Sequence, residues 1–286
     1  MISLEITPVI LTFNEEANIS RTLERLTWAR RIVVVDSLSS DATVRLARNF
    51  PQVAVISRAF TNHEDQWNFA LDQADTEWVL TLDADYLLSR ESIAELQTMP
   101  AAKSGAVGYY AKFRYCVGGR PLRGSLYPPR IVLFRRSRGR YVNDGHTQKL
   151  RLDGTAGWLS SVIFHDDRKS LDAWLAAQNR YSTLEARKLS AASEAQLGFP
   201  DRIRRRKWLA PFLTVPYCLF AKGLILDGRP GLLYTLQRTY AELLLSLRLL
   251  DDDTRPAMAQ NEQMQPKNGD SESANSGEQP WSPAPQ

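Results

Sequence analysis

The sequence predicts an α/β fold in which a mostly parallel sheet lies between two layers of helices. Short runs rich in Ile, Val and Leu recur along the first third of the chain, and each has the length of a buried strand. A stretch with helical spacing of apolar residues follows most of these runs. Strands that alternate with helices form parallel sheets through right-handed crossovers, so these observations together favour a three-layer sandwich.

The first two strands are each followed by a predicted helix. Residues 6–11 form an apolar, β-branched run, and Ile19 and Leu23 mark the helical pattern that comes next. Residues 31–35 are rich in Ile and Val, as expected of a strand that is buried on both faces. Asp41 is a suitable N-cap for the second helix, because its carboxylate can accept hydrogen bonds from free backbone N–H groups.

The next strand and helix lead to the stretch around which the chain is organised. Residues 53–57 predict a third strand, and residues 63–73 predict a third helix. The fourth strand begins at Trp78, is mostly apolar, and ends abruptly at Asp83 and Asp85. Carboxylates at the end of a buried strand can reach solvent and a ligand.

The second half of the chain predicts further strands and then helices. The predicted elements are one or two strands in 105–115, short strands at 131–134 and 161–164, a helix capped by Ser170, and an amphipathic helix in 231–250. The last of these places leucines near helical spacing with charged residues elsewhere, which is typical of a helix with one apolar face.

Charge and cysteine content narrow the class of protein. The chain has a net charge of +4, but acids dominate after residue 250, so the preceding part is strongly basic. A basic body indicates a phosphate-rich ligand, an anionic membrane surface or nucleic acid, and charge alone does not choose among them. Cys116 and Cys218 are too far apart to predict a disulfide framework or a zinc finger. The first eleven residues lack the pattern of a signal peptide, so we expect a cytoplasmic protein.

Polar side chains recur at three predicted strand ends. They are Asn14 and Glu15, then Asp36, then Asp83 and Asp85. In open α/β sheets the carboxyl ends of the strands form the ligand crevice, so we expect these groups to converge. Aspartates one residue apart point the same way on an extended chain, and their oxygens suit Mg²⁺ or Mn²⁺. A lone Asp-x-Asp pair can also simply cap a helix. The chain contains neither a dinucleotide-binding glycine motif nor a P-loop.

Three motifs together resemble those of a known family. The first strand is followed by Thr-Phe-Asn-Glu-Glu, the second ends in Val-Val-Asp-Ser-x-Ser-x-Asp, and the fourth ends in Leu-Asp-Ala-Asp. In this order and spacing they resemble family 2 glycosyltransferases with the GT-A fold. Within that family the chain is most similar to small bacterial enzymes of lipopolysaccharide core and surface polysaccharide assembly.

The resemblance implies roles for individual residues. It implies that the donor nucleotide contacts a set of polar residues near the first strand ends: Thr12, Asn14, Glu15, Asp36 and Arg58. Asn68, in the third predicted helix, is a further candidate for a donor contact, although it also suits an exposed helix position. Asp83 lies near the ribose and the metal in this interpretation, and Asp85 is the principal metal ligand.

Several residues in the second half of the chain are candidates for the catalytic base or for contacts with the acceptor. An inverting transferase needs a base that takes the proton of the attacking hydroxyl. Asp144 is our first choice, with His146 assisting or completing the metal shell, and His165 is a second candidate for base or metal ligand. Related enzymes often carry a His-Glu pair here, and His146 is followed by Thr147 instead. The arginines of the loop 120–130 could meet an acceptor phosphate.

Composition and resemblance divide the chain into four segments. They are a donor-binding half (1–110), an acceptor-side half of the same catalytic domain (111–200), a basic and apolar helical segment (201–250) and a disordered acidic tail (251–286). The third segment either completes the core or rests on a membrane interface, with Arg, Lys and Trp at the headgroup level. We favour the membrane interpretation.

The sequence thus predicts a metal-dependent glycosyltransferase at the inner face of the cytoplasmic membrane. It would move a sugar from a nucleotide diphosphate sugar to a saccharide or lipid-linked acceptor, with inversion, in cell-envelope polysaccharide or lipopolysaccharide synthesis. An Asp-dependent phosphotransferase is the alternative enzyme class, although its nucleophile motif belongs on a first strand rather than a fourth. A nucleic-acid-binding module would use residues 202–207, but no recognition motif supports it, so we expect no nucleic-acid partner.

Overall fold

The computed structural model describes residues 5–99, 105–144 and 147–263, apart from the side chains of residues 143–148 and of those beyond 252. Contacts divide the chain after Leu249 into two compact units. The sheet, its flanking helices and the site described below belong to the first unit. The described part of the second unit, 250–263, is helical.

The described residues contain eleven strands, nine of which form one curled, mixed sheet. In chain order they are β1 (Ile6–Thr12), β2 (Ile32–Asp36), β3 (Val53–Ser57), β4 (Trp78–Asp83), β5 (Tyr86–Leu88), β6 (Gly108–Val117), β7 (Arg120–Pro121), β8 (Arg130–Arg135), β9 (Gly139–Asp144), β10 (Thr147–Leu152) and β11 (Ala156–His165). The sheet order is β3-β2-β1-β4-β8-β6-β11-β5, with β7 beside β6, and β9 pairs with β10 as a separate hairpin.

Helices cover the sheet and then extend the C-terminal part of the first unit. They are α1 (Ile19–Glu24), α2 (Thr43–Ala47), α3 (His63–Asp72), α4 (Arg90–Thr98), α5 (Leu171–Ala191), α6 (Phe199–Arg205), α7 (Leu209–Pro216) and α8 (Arg229–Gln263). A π turn at Tyr217–Ala221 and a 3₁₀ turn at Leu224–Asp227 connect α7 to α8. Shorter 3₁₀ turns lie at Arg136–Arg138 and Glu194–Gln196.

The predicted α/β fold is confirmed. The pairs β1–β2, β1–β4, β2–β3 and β6–β11 are parallel, whereas β8 runs antiparallel to both β4 and β6. As predicted, the Ser170 hydroxyl caps α5 by accepting a hydrogen bond from the Ala173 N–H, at 3.2 Å. The N-cap of α2 is Ala42 rather than Asp41, but Asp41 accepts from the Thr43 N–H at 2.9 Å. The observed N-cap of α2 is therefore one residue after the predicted one.

The parallel register brings the polar strand ends together. Thr12 at the end of β1 lies beside Asp36 at the end of β2, and Leu11 lies beside Asp83 at the end of β4. Since β1 lies between β2 and β4, the loops after these strands occupy one edge of the sheet. This confirms the convergence that the sequence predicted.

Apolar packing on both faces fixes that edge. Ile10 and Leu80 are fully buried on one face with α1, and Val9 and Val79 are fully buried on the other face with α3. Burying a side chain of this size contributes roughly 1.5–3 kcal/mol relative to leaving it in water. The central strands are therefore a rigid support for the loops that follow them.

The C-terminal helices are only partly packed against the rest of the unit. Arg204 on α6 donates hydrogen bonds from Nε and Nη2 to the buried carboxylate of Glu242 on α8, the shortest at 2.8 Å. In contrast, most leucines of the predicted apolar face of α8 are exposed, including Leu232, Leu236 and Leu247. In the part of the chain that the structure describes, no helix is both long enough and apolar enough to cross a bilayer.

The last helix continues beyond the predicted end of the third segment. We expected a disordered tail from Asp251, whereas α8 extends to Gln263. Ala, Met, Gln and Glu, which have high helix propensity, are frequent in 257–263. Residues 264–286 lie outside the described residues.

Candidate active site at the carboxyl edge of the sheet

Hydrogen bonds hold the loops after β1 and β2 against each other. The buried carboxylate of Asp36 accepts bonds from the Thr12 hydroxyl, at 2.8 Å, and from the backbone N–H and hydroxyl of Ser39. Asn14 has a positive φ of 52°, a conformation that Asn tolerates better than most residues. Its side-chain oxygen accepts from the Ser40 N–H at 2.9 Å. The two loops therefore form one preorganised surface.

Glu15 forms an ion pair with a residue from the far end of the sheet. Its carboxylate accepts a hydrogen bond from Lys169, directly after β11, and another from the Asn18 amide at 2.9 Å. Burial raises the pKa of Glu15 to about 7 even though Lys169 opposes the shift. Glu15 raises the pKa of Lys169 in turn, against the effect of that side chain's burial. The pair joins the loop after β1 to the segment that follows β11.

Asp85 lies in the turn between β4 and β5 and contacts His165, the last residue of β11. The Oδ2 atom of Asp85 is 3.0 Å from Nε2 of His165. Burial opposes ionisation of Asp85, but the charge of His165 and its hydrogen bond hold the pKa of Asp85 below its ordinary value. The Oδ1 atom of Asp85 is buried and has no hydrogen-bond partner among the residues that the structure describes. One carboxylate oxygen is therefore held by His165, and the other is an unsatisfied acceptor.

Three tyrosine rings surround His165. Tyr115 and Tyr127 each have ring centroids 4.6 Å from the imidazole, and Tyr86 lies at 5.3 Å. The hydroxyls of Tyr86 and Tyr127 bond to each other. Such packing fixes the orientation of the imidazole, and hence the orientation of the Asp85 carboxylate that it contacts.

The segment after β11 is tied to α1 by a polar network. Asn18 donates to Asp167 at 2.8 Å and accepts from the Arg168 backbone N–H at 2.9 Å. Arg21 donates to the buried carboxylate of Asp166 at 2.8 Å. These bonds hold the chain between His165 and α5, and they therefore position both His165 and Lys169.

Asp83 faces a different environment from Asp85. Its side chain lines a cavity of about 380 Å³ with Arg130, Tyr86 and Tyr141 among the other wall residues. We expected the two aspartates to point the same way along an extended chain. That argument does not hold here, because β4 ends at Asp83 and Ala84 and Asp85 form a turn.

Comparison with known proteins shows to which family the chain belongs. Residues 7–155 match the family model described as "Glycosyl transferase family 2". The chain belongs to glycosyl transferase family 2. The match includes the three strand-end motifs and the whole of the edge built by β1, β2 and β4. It decides the enzyme class in favour of glycosyl transfer over the alternative of phosphoryl transfer.

Curated relatives agree with this assignment. The chain is 28% identical over 197 residues to the "Lipopolysaccharide core biosynthesis glycosyltransferase LpsC" of Rhizobium meliloti, covering 64% of this chain and 71% of the relative. It is 26% identical over 199 residues to the "Uncharacterized glycosyltransferase RT0209" of Rickettsia typhi, covering 65% and 68%. Both similarities cover more residues than the first 110 of the chain.

A solved structure supports the GT-A fold. The mannosyltransferase PcManGT from Pyrobaculum calidifontis, solved in complex with GDP-Man and Mn²⁺, superposes with a TM-score of 0.51. The two proteins are 16% identical, and the alignment covers 88% of each chain. At this identity the likeness establishes the fold of this family 2 enzyme.

Two residues that the family resemblance placed near the donor are engaged with the protein itself. Arg58 donates to Asp65 and Gln66 at the start of α3, both at 2.7 Å. The Asn68 amide donates to the Tyr141 carbonyl and accepts from its N–H, both at 3.0 Å. Asn68 therefore attaches β9 to α3, and a donor contact by either residue stays a prediction.

The predicted base lies at the tip of the β9–β10 hairpin. The backbone of Asp144 ends β9 and pairs with Thr147. The Asp144 side chain and the whole of His146 lie outside the described residues. Their catalytic roles in this family 2 enzyme stay predictions.

The metal-ligand atoms at this edge of the sheet fit a divalent cation only in part. Among the described residues, no group of three or more His, Cys, Asp or Glu side chains is arranged to hold a metal ion. However, the buried and unpartnered Oδ1 of Asp85 is a hard oxygen ligand, the type that Mg²⁺ and Mn²⁺ take. Mg²⁺ commonly retains several waters and binds through one or two carboxylates and substrate phosphates, so a site with few protein ligands is consistent with it.

Sequence reasoning missed Lys169 as a site residue. Lys169 and Glu15 are 154 positions apart in the chain, so no local pattern links them. The available signal was the charged run after β11, which begins at His165 and was interpreted as the start of a helix. Polar residues after a strand are also the pattern from which Asp36 and Asp85 were predicted.

Proposed function

We propose that this glycosyltransferase moves a sugar from a nucleoside diphosphate sugar to a hydroxyl of a saccharide or lipid-linked acceptor in cell-envelope polysaccharide or lipopolysaccharide synthesis. The observation that carries the proposal is the unpartnered Oδ1 of Asp85, beside the preorganised loops after β1 and β2. The similarity to LpsC supports lipopolysaccharide as the product class.

The donor nucleotide would occupy the edge formed by the loops after β1 and β2. Thr12, Asn14, Glu15 and Asp36 would contact it. The bond from Thr12 to Asp36, the bond from Ser40 to Asn14 and the bond from the Glu15 N–H to Thr43 fix that surface before the donor binds. A preorganised surface loses less conformational entropy when its ligand binds. Lys169 supplies a positive charge beside this surface, where the diphosphate would lie.

Asp83 and Asp85 would hold Mg²⁺ or Mn²⁺ against the diphosphate. The bound ion would offset the charge that develops on the departing nucleoside diphosphate. His165 holds one oxygen of Asp85, and the tyrosines around His165 keep that carboxylate in place. Asp85 is therefore oriented before any ion arrives.

Asp144 would act as the base and deprotonate the acceptor hydroxyl, giving direct displacement with inversion. Its backbone ends β9 and pairs with Thr147 at the start of β10. His146 would assist it. His165 is less suited to this role, because Nε2 contacts Asp85 and Nδ1 is buried without a partner.

Donor binding tests the proposal. We would measure thermal stabilisation of the wild type by UDP, GDP, CMP and TDP sugars, each with and without Mn²⁺. We expect metal-dependent stabilisation by one nucleotide and its loss in Asp85→Asn. Asp153→Asn is the matched control, because Asp153 is exposed and lies in the loop before β11. Absence of stabilisation by every nucleotide would contradict the proposal.

We also propose that the segment 201–250 rests on an anionic membrane surface at the inner face of the cytoplasmic membrane. Phe212, Phe220 and Leu226, on consecutive elements between α7 and α8, are 73%, 69% and 69% exposed. Arg206 and Arg229 are exposed in the same segment. Apolar side chains flanked by cations are typical of proteins that lie in the interface of anionic bilayers.

Vesicle co-sedimentation tests the membrane proposal. We expect binding to phosphatidylcholine vesicles that contain phosphatidylglycerol, and weaker binding to phosphatidylcholine alone. Phe212→Ser and Phe220→Ser should each weaken binding roughly 10-fold or more, because each loses the burial of a phenylalanine. Phe60→Ser is the control, since Phe60 is 48% exposed in the loop before α3. Equal loss in the control, or no binding by the wild type, would contradict the proposal.

A further inference from the structure

Arg130, the first residue of β8, is a half-buried cation at the wall of the cavity beside Asp83. Its guanidinium lies over the Tyr127 ring, 5.2 Å from the centroid. Its side chain interacts electrostatically with Asp83 but makes no hydrogen bond or ion pair with a side chain that the structure describes. A guanidinium carries five N–H donors, which a bound anion can accept.

Three other half-buried arginines have carboxylate partners. Arg21, Arg58 and Arg204 each have side chains that are 28% exposed, and each pairs with a carboxylate within 2.8 Å. The carboxylate partners explain why these three guanidinium groups lie where they do. Arg130 differs from these three because it lines a cavity that a ligand can enter.

The cavity has the size and walls of a sugar site. Its volume of about 380 Å³ lies within the range of roughly 300–1,000 Å³ for small-molecule pockets. Its walls include aromatic rings that can pack against a sugar, and charged groups of both signs. They are Trp67, Tyr86, Tyr110, Tyr141, Asp83 and Lys149.

The position of the cavity separates it from the nucleotide edge. The residues that line the cavity include Asp83 of β4, Arg130 of β8 and Lys149 of β10, and none of them belongs to the described loops after β1 and β2. A nucleotide held by Asn14 and Asp36 would therefore leave this cavity for a sugar.

We propose that this cavity binds a sugar bearing a carboxylate or phosphate, and that Arg130 pairs with that anion. The inference rests on the proposed function, because it names the sugar class for the same site. Such a sugar could be the transferred unit of the donor or a residue of the acceptor, and both present the same chemistry to Arg130. A guanidinium binds carboxylate or phosphate through paired hydrogen bonds, which gives specificity for charged over neutral sugars.

Three binding arms on the full chain, measured by calorimetry with Mn²⁺ present, test the inference. The first uses UDP and GDP alone, and reports the proposed function independently of Arg130. The second compares UDP-glucose with UDP-glucuronate, which tests the donor as the source of the anion. The third compares glucose with glucose 6-phosphate, which tests the acceptor.

We expect the charged sugar to bind more tightly in the second or the third arm. Arg130→Met should lower that affinity roughly 10- to 100-fold, as expected for a hydrogen bond to a charged group, and Arg130→Lys should retain part of it. Arg135→Met is the matched control, because Arg135 is on the same strand, lies over the Trp78 ring at 5.1 Å and does not line the cavity.

Two results would overturn the inference. One is equal binding of charged and neutral sugars, or of neither, by the wild type in both sugar arms. The other is a loss of UDP or GDP affinity in Arg130→Met as large as the loss for the charged sugars, which would make Arg130 a diphosphate contact. If the first arm alone fails while a charged sugar still depends on Arg130, the nucleotide-donor proposal fails and the anionic sugar site stands.

Discussion

The Oδ2 atom of Asp85 lies 3.0 Å from Nε2 of His165, while the other carboxylate oxygen is buried without a hydrogen-bond partner in the described part of the chain. A buried oxygen that lacks a partner costs free energy unless a ligand supplies one. The contact therefore divides the carboxylate into an oxygen that the protein positions and an oxygen that is available to a substrate or an ion. Asp83 faces the neighbouring cavity, so the two aspartates of the motif have separate surroundings.

Replacing His165 should weaken metal-dependent donor binding without unfolding the edge of the sheet. His165→Ala removes the group that orients Asp85, and loss of such a partner typically costs 10- to 100-fold in metal affinity or activity. Titration of Mn²⁺ in the presence of the nucleotide, followed by thermal shift, measures the effect.

His63→Ala is a suitable control, because His63 begins α3 and its ring packs against Phe60, with 5.0 Å between the ring centroids. Unchanged Mn²⁺ dependence in His165→Ala would show that Asp85 is oriented without the imidazole. His165→Gln, which can still donate a hydrogen bond to Asp85, should recover part of the affinity.

Replacing Asp144 should slow turnover and leave donor binding intact. General base catalysis contributes roughly 10² to 10⁴ in rate, so Asp144→Ala should lower kcat by about that factor. The nucleotide affinity, measured separately, should stay near that of the wild type. Near full activity of Asp144→Ala, together with loss of activity in His146→Ala or His165→Ala, would make a histidine the base.

The predictable part of the site is the part that short-range sequence patterns determine. Asp36 and Asp83 each follow a run of apolar residues, and such runs define buried strands and where they end. The order of strands and helices then predicts that these ends share one edge. The sequence was therefore sufficient for the fold class and for the convergence of the motifs.

The remaining part depends on contacts between distant segments. Glu15 and Lys169 meet only because β11 and the strands near the N-terminus belong to one sheet. Asn68 suits an exposed helix position by sequence, but the backbone of Tyr141 happens to lie within hydrogen-bonding reach of its amide. No periodicity along the chain specifies contacts of this kind, since tertiary packing decides them.

The raised pKa of Glu15 predicts a pH dependence of stability. Its folded-state pKa of about 7 is above the ordinary value of 4.5, so the folded protein binds more protons between these values. The contribution of Glu15 is fully present below pH 4.5 and is lost as the pH rises to about 7. We therefore expect the wild type to lose its advantage in melting temperature over Glu15→Gln as the pH rises from 4.5 to about 7.

The same substitution at Glu24, which is exposed on α1, is the control for the pH effect. Glu24→Gln should give a difference from the wild type that changes little across the interval. A wild-type advantage over Glu15→Gln that grows with pH would mean that the ion pair with Lys169 outweighs burial.

The bond between Arg204 and Glu242 should contribute to stability mainly by avoiding an isolated buried charge. Glu242 has a side chain that is 8% exposed, whereas Arg204 is 28% exposed. Arg204→Met leaves the carboxylate of Glu242 buried and unpaired, and breaking such a pair costs about 3–5 kcal/mol when both groups are deeply buried. Because Arg204 reaches solvent, we expect a smaller loss in the free energy of unfolding, about 1–3 kcal/mol, measured by urea denaturation.

The double variant Arg204→Met/Glu242→Leu should recover most of this loss, since it removes the unpaired charge and keeps the contact between α6 and α8. A double variant no more stable than Arg204→Met would instead show that the hydrogen bonds themselves hold the two helices together.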